Sequence, residues 1–203
     1  VKAETSKSYE VGVEKFFTNL GLNIEVSYFN LEYYDTLEGD WYAPWQTLNY
    51  PGTVKSEGLE LTSKWKTNDL LNFDLNYTYT STYDGAEQDN PNTSYKNAQM
   101  ARVPRNIVNL ATKIKFPSYK NLNLTLNTRW SDTARDYGNG NNGNYNDEVL
   151  DDYLVNDLSL NYRLMDTYEL FFDIKNMFDE KYNTALQYSQ MDRAFSFGIK
   201  RVY

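Results

Sequence analysis

The sequence lacks several residue types on which enzymatic and metal-binding sites depend. It contains no cysteine, which excludes disulfides and thiolate metal sites, and no histidine, which removes the commonest general base and zinc ligand. No phosphate-binding glycine loop is present either. From these absences we expect a protein that is not an enzyme, has no catalytic residues, uses no cofactor and holds no metal ion.

Long hydrophobic runs are also missing. No stretch approaches the roughly 20 apolar residues of a transmembrane helix, and the mean hydropathy is -0.73. The basic residues are dispersed rather than clustered, so no nucleic-acid binding is expected. Aromatic residues, in contrast, are abundant, with 19 Tyr and 4 Trp. Such enrichment is typical of the aromatic girdles at the two interfaces of a membrane.

The sequence contains a repeated alternation of apolar and polar residues. Leu122, Leu124 and Leu126 are examples, since each is followed by a polar residue. Because successive residues of a strand face opposite sides, this pattern gives an apolar face and a polar face. A face this polar cannot line a dry core. An apolar outside and a polar inside are typical of an all-β, transmembrane antiparallel β-barrel.

Nine such segments are predicted as strands. They are Ala3–Phe17, Leu22–Asp35, Val54–Lys66, Leu71–Tyr83, Val103–Phe116, Leu122–Ala134, Tyr153–Leu164, Tyr168–Tyr182 and Arg193–Tyr203. Short turns alternate with long loops at 36–53, 84–102, 135–152 and 183–192, as in outer-membrane barrels with periplasmic turns and extracellular loops. Because single-chain bacterial barrels have even strand numbers, we expect further strands upstream and a C-terminal piece of a longer protein.

Four segments resemble the C-terminal barrel of TonB-dependent outer-membrane receptors. They are Val1–Phe16 (VKAETSKSYEVGVEKF), Leu48–Leu61 (LNYPGTVKSEGLEL), Arg102–Pro104 (RVP) and Asn176–Tyr182 (NMFDEKY). The resemblance covers nearly all of residues 1–203. It implies a barrel fragment, the last nine strands of a 22-stranded barrel whose lumen is plugged, without the plug domain. It also implies the outer membrane of a Gram-negative bacterium.

The same resemblance implies an energy-coupled receptor that imports a scarce ligand such as a ferric siderophore or cobalamin. The implied partners are outer-membrane lipid, the barrel-assembly machinery, and a TonB-type energy transducer acting through a TonB box and plug upstream. A passive outer-membrane pore or translocator barrel is the alternative, which an upstream plug would exclude. A soluble adhesive β-domain is a second alternative, and it would need a partner sheet for its apolar faces.

Aromatic residues in the predicted loops are candidate ligand-binding residues. They are Trp41, Tyr42, Trp45, Tyr137, Tyr145 and Tyr188. Aromatic rings stack on planar or macrocyclic ligands, which suits a siderophore or a corrinoid. The alternative role of these residues is to anchor the interface or to pack one loop on another.

Charge is distributed unevenly along the chain. The long loops contain eleven acidic and three basic residues, which accounts for the formal net charge of -8. This charge either solvates the loops or attracts cations. The acids at 147–152 suit calcium in type but not in spacing, so a flexible loop is the preferred interpretation. The candidate lumen-facing bases Arg102, Arg105, Arg129 and Arg163 either guide an anionic chelate or pair with plug carboxylates.

The last predicted strand resembles an outer-membrane assembly signal, in which a polar residue, a glycine and a terminal aromatic residue recur at fixed spacing. Ser196, Gly198 and Tyr203 fit that pattern. Arg201 departs from it, because it occupies the position that is usually apolar. We expect this segment to contact the barrel-assembly machinery.

Overall fold

The computed structural model describes residues 1–39, 46–49, 52–85, 99–139, 145–165 and 167–201, most of which lie in strands. The strands in chain order are β1 (Thr5–Phe17), β2 (Leu22–Tyr34), β3 (Leu37–Gly39), β4 (Thr47–Asn49), β5 (Thr53–Lys66), β6 (Leu71–Asp84), β7 (Asn106–Phe116), β8 (Tyr119–Ser131), β9 (Ala134–Asn139), β10 (Tyr145–Leu150), β11 (Tyr153–Leu164), β12 (Tyr168–Lys175), β13 (Asn183–Ala185), β14 (Tyr188–Ser189) and β15 (Ala194–Arg201).

Nine of these strands form one antiparallel sheet in the order β1-β2-β5-β6-β7-β8-β11-β12-β15. Each strand of this sheet pairs with the next one along the chain, so the order contains no crossover. The strands β1 and β15 are its edges and have no further partner strand among the described residues. The predicted fold class, a nine-stranded fragment of an antiparallel barrel, is confirmed.

Several predicted strand bounds were wrong. The predicted strand 168–182 ends at Lys175, because Asn176 adopts a left-handed conformation with φ 48°. The predicted strand 103–116 begins at Asn106, since Pro104 has no N–H for a ladder bond. The predicted long loops also contain three short hairpins, β3–β4, β9–β10 and β13–β14.

The register of the sheet places like side chains opposite one another. On one face, Leu124 of β8 lies opposite Leu160 of β11, which lies opposite Phe172 of β12. We call this the apolar face. On the other, the polar face, Ser159 of β11 lies between Thr125 and Asp173. The polar face lines an open cavity of about 710 Å³.

The apolar face has no covering layer within the described residues. Their buried hydrophobic side chains are Leu150 and Tyr153, whereas Phe197 on β15 is 85% exposed. Soluble monomers rarely expose apolar surface on this scale. The apolar face therefore suits contact with lipid. Among the residues described, no helix is long and apolar enough to cross a membrane.

Two tryptophans mark opposite ends of the apolar face. Trp65 lies beside the short turn after β5, where its Nε1 donates to the Leu20 carbonyl at 3.1 Å. Trp130 lies at the loop end of β8, where its Nε1 donates to the Asp152 carboxylate at 3.3 Å. Indole rings with an apolar body and a hydrogen-bonded tip suit the two membrane interfaces.

Candidate functional site

The candidate site is the upper part of the polar face and the loops that continue it. Asp136 of β9 joins these loops. Its carboxylate accepts hydrogen bonds from Arg102 Nε at 2.8 Å, from the Tyr137 N–H at 2.8 Å and from the Leu186 N–H at 2.6 Å. Since Arg102 and Leu186 belong to two other loops, these four residues tie three loops together. We call them the Asp136 clamp.

The Asp136 carboxylate is fully buried, with 0% of its side chain exposed. Burial opposes its ionisation. The N–H groups of Leu186 and Tyr137 and the guanidinium of Arg102 outweigh that effect and hold the pKa of Asp136 below its ordinary value. Hydrogen bonds to an ionised acceptor are stronger than neutral ones. The clamp therefore restrains the loops at neutral pH.

Asn176 shapes the loop that carries Leu186. Its buried side chain donates to the Glu180 carbonyl at 2.9 Å and accepts from the Glu180 N–H at 2.8 Å. Its backbone N–H donates to Asp157 Oδ1 at 2.9 Å. The chain that follows returns towards the sheet, and the Tyr182 ring lies 4.3 Å from the ring of Tyr153. This aromatic pair lies beside the polar face below the clamp.

Asn49 attaches the β3–β4 hairpin to the start of the chain. Its Nδ2 donates to the carbonyls of Asp35 at 2.8 Å and Lys2 at 2.9 Å. Glu4 adds a bond, since its Oε1 accepts from the Leu37 N–H at 2.5 Å. The base of the loop that contains Trp41, Tyr42 and Trp45 is thus fixed, while these three aromatic residues lie outside the described residues.

Three of the predicted lumen-facing bases occupy polar-face positions. Arg129 lies opposite Asn109, and Arg163 lies opposite Glu169. Arg105 lies on the same face just before β7, and its backbone carbonyl accepts a hydrogen bond from the Thr80 N–H at 2.8 Å. The fourth base, Arg102, is part of the Asp136 clamp.

The candidate aromatic residues of the later loops belong to two hairpins, with Tyr137 and Tyr145 in β9–β10 and Tyr188 in β13–β14. The Tyr137 ring packs under the Arg135 guanidinium, 5.1 Å from its centroid, and Tyr188 of β14 is 69% exposed. Tyr145 belongs to β10, and its side chain lies outside the described residues. Their part in ligand binding stays a prediction.

The assembly-signal residues of β15 contact β12. Ser196 Oγ donates to Asp173 Oδ2 at 3.3 Å. Gly198 lies opposite Phe171, and a Cβ at this glycine would be 2.5 Å from Phe171 Cζ. The third residue, Tyr203, lies outside the described residues.

Sequence reasoning missed Asp136, Asn176 and Asn49. Asp136 was one of many loop acids, and nothing in the pattern marked it as buried. Asn176 and Asn49 lie in two of the segments that resemble the receptor family, and this resemblance could have marked them as structurally important. In the part of the chain that is described, no group of three or more acidic side chains is arranged to hold a metal ion.

Residues 1–177 match the family model described as TonB dependent receptor-like, beta-barrel. No curated protein sequence matches the chain significantly. Similar solved structures include the pyoverdine outer membrane receptor FpvA from Pseudomonas aeruginosa bound to pyoverdine, with 18% identity and a TM-score of 0.78 over 98% of this chain and 30% of that one.

Two further structures are similar over 98% of this chain. The FrpB iron transporter from Neisseria meningitidis has 19% identity, a TM-score of 0.77 and 31% of its own length covered. The ferric-catecholate import receptor Fiu from E. coli has 16% identity, a TM-score of 0.73 and 27% covered. At these identities the likeness concerns the fold. The chain spans about a third or less of each of these proteins.

Proposed function

Because this chain belongs to the TonB-dependent receptor-like β-barrel family, we propose that it forms the wall and outer loops of a receptor that imports a ferric chelate. Barrels of this family are outer-membrane proteins of Gram-negative bacteria, and the family consists of transport receptors. In this proposal the apolar face contacts lipid, and the polar face lines the lumen through which the ligand passes.

The observation that carries the proposal is that the sheet has one apolar and one polar face and that restrained loops lie at one end of its strands. The wall has short turns at one end and long, hairpin-containing loops at the other. The Asp136 clamp ties the described parts of three of those loops to one another. Loop segments restrained beside a polar lumen suit capture of a solute from outside, because preorganised groups lose less entropy on binding.

The ligand class is proposed from the similar structures. FpvA is a pyoverdine receptor, FrpB an iron transporter and Fiu a ferric-catecholate import receptor, which favours a ferric siderophore over cobalamin for this chain. Loop aromatic residues suit such ligands, since aromatic rings stack on planar groups. We therefore retain Trp41, Tyr42 and Trp45 as proposed ligand contacts.

The partners are proposed as well. Import against a gradient requires energy, which a TonB-type transducer would deliver through a plug domain in the rest of the protein. Ser196, Gly198 and Tyr203 would present the last strand to the barrel-assembly machinery. Both open edges of the sheet, β1 and β15, would pair with further strands, because exposed edges otherwise promote aggregation.

The test uses cells that lack the gene and carry the full receptor on a plasmid. Iron-starved cells receive radioactive ferric siderophores of the catecholate, hydroxamate and mixed types, with and without a protonophore. We expect receptor-dependent iron accumulation that the protonophore abolishes. Accumulation that survives the protonophore would indicate a passive pore. Uptake of labelled cobalamin in place of iron would overturn the ligand class.

A further inference from the structure

Arg129 is an uncompensated cation at the junction of wall and loops. Its side chain borders both the 710 Å³ cavity and a second cavity of about 180 Å³ beneath the loops. No hydrogen-bond or ion-pair partner of its guanidinium is found in the described ranges. The other charges of the larger cavity are paired, with Lys175 Nζ 2.9 Å from Asp157 and Lys113 Nζ 2.5 Å from Asp74.

Two amide side chains accompany Arg129 on the polar face. Asn109 of β7 lies directly opposite it, and Asn127 precedes it by two residues on β8. Side chains directly opposite in a sheet have Cβ atoms about 5 Å apart. Both amides line the 710 Å³ cavity, and neither side chain has a hydrogen-bond partner among the residues described. Arg129 and the two amides thus form one group of unused donors.

We propose that Arg129, Asn109 and Asn127 form a subsite for a carboxylate group of a small solute. A guanidinium presents two parallel N–H donors that match the two oxygens of a carboxylate. The neighbouring amides add neutral donors but no charge. One positive charge balances one carboxylate, whereas a phosphate dianion would remain partly uncompensated.

The position of the subsite favours a solute over a side chain of the protein. The smaller cavity is lined by Arg129, by Arg102 of the clamp, by Asn183 at the start of β13 and by two acids, Asp132 and Asp151. It therefore connects the guanidinium with the loop side. The Tyr153–Tyr182 pair supplies an aromatic wall. The inference rests on the proposed function in one respect: a carboxylate-bearing chelate that enters between the loops would meet Arg129 where they join the wall.

The test measures the reactivity of Arg129 in the purified full receptor. Phenylglyoxal modifies free guanidinium groups, and peptide mass spectrometry gives the rate at each arginine. Acetate, phosphate and chloride are compared at equal ionic strength. We expect acetate at roughly millimolar concentration to protect Arg129, phosphate to protect it less and chloride not at all. Arg163, on the same face but in a different cavity, serves as the internal control for protection that is not specific to the site.

An Asn109→Ala variant tests the amide. Loss of a hydrogen bond to a charged group should weaken protection by about tenfold. Asn123→Ala, on the polar face of β8 but in another cavity, should leave protection unchanged. Equal modification of Arg129 with and without acetate would overturn the proposal. So would an Arg129 that is inert before any anion is added, because a protein carboxylate would then hold it. Neither result depends on whether the receptor transports iron.

Discussion

Arg102 Nε donates a hydrogen bond at 2.8 Å to Asp136 Oδ1, although 34 residues separate the two in sequence. The Arg102 side chain is 54% exposed while that of Asp136 is wholly buried. The cost of desolvation therefore falls mainly on the carboxylate, and the N–H groups of Tyr137 and Leu186 offset it. A buried anion at the centre of three loops makes their relative positions interdependent.

The first prediction concerns loss of this anion. In Asp136→Asn, one carboxylate oxygen is replaced by an NH2 group, which cannot accept a hydrogen bond. At least one donor of the clamp is then left without an acceptor, which costs about 1–3 kcal/mol. We expect faster hydrogen exchange at the amides of Tyr137 and Leu186 in the full receptor, measured by mass spectrometry. Asp151→Asn is the matched control, since Asp151 is an exposed acid of the same loop region. Equal effects of the two substitutions would contradict the clamp.

The second prediction concerns pH. The pKa of Asp136 in the folded protein lies below its ordinary value, which is about 3.9 for an unperturbed aspartate. The clamp therefore contributes fully above about pH 4, and its contribution is lost as the pH falls further through the folded pKa. In the unsubstituted receptor, the protection factor of the Leu186 amide should fall over that pH range. In the Asp136→Asn variant it should stay constant over the same range. Loss of protection already near pH 6 would show that another group controls these loops.

The third prediction compares two glycines of the polar face. A Cβ at Gly58 would clash with the Tyr79 carbonyl oxygen, whereas one at Gly198 would meet the end of the Phe171 ring. A side chain can rotate away more readily than a ladder carbonyl. Gly198→Ala should cost about 1–3 kcal/mol, and Gly58→Ala should cost more, in urea unfolding of the lipid-embedded receptor.

A second substitution supplies the control for this pair. Phe171→Leu should recover part of the stability lost in Gly198→Ala, because it removes the end of the ring. Phe29→Leu should recover little in Gly58→Ala, although Phe29 also contacts that position, since the carbonyl clash persists. Equal recovery in both pairs would mean that the aromatic ring dominates at each site.

The fourth prediction concerns the loop of β3 and β4. Joint replacement of Trp41, Tyr42 and Trp45 by alanine should weaken binding of the ferric ligand by about 1–3 kcal/mol, from aromatic contact energies, without lowering the amount of receptor in the outer membrane. Tyr119→Ala at the opposite end of the barrel, where Tyr119 is 64% exposed, is the control. Unchanged affinity would indicate that the three residues anchor the membrane interface or pack one loop on another instead of binding the ligand.

Much of the wall could be predicted from the sequence because period-two alternation is a local property. Leu122–Leu126 and the polar residues between them are sufficient to define two faces of β8. The end of β12 could not be predicted in this way. Phe178 and Tyr182 continue an aromatic pattern, but Asn176 turns the chain through contacts with Asp157 and Glu180, and contacts between distant residues leave no periodicity.

The loops were less predictable for the same reason. Asp136 is one of eleven acids in the predicted long loops, and its burial depends on the N–H of Leu186, 50 residues away. Arg102 is basic and precedes a strand, which suggested a lumen position, yet its partner lies in another loop. Neither residue type nor spacing identifies such a pair, because its geometry exists only after the sheet has brought the loop bases together.

The most direct test of the two-faced wall is cysteine labelling along β11. The chain has no cysteine, so single cysteine substitutions from Asp157 to Tyr162, made in a receptor free of other cysteines, report each position separately. In outer-membrane vesicles, a water-soluble maleimide should label positions 157, 159 and 161 on the polar face and spare positions 158, 160 and 162 on the lipid face. Uniform labelling, or labelling of the even positions, would contradict an apolar face in lipid and a polar face in the lumen.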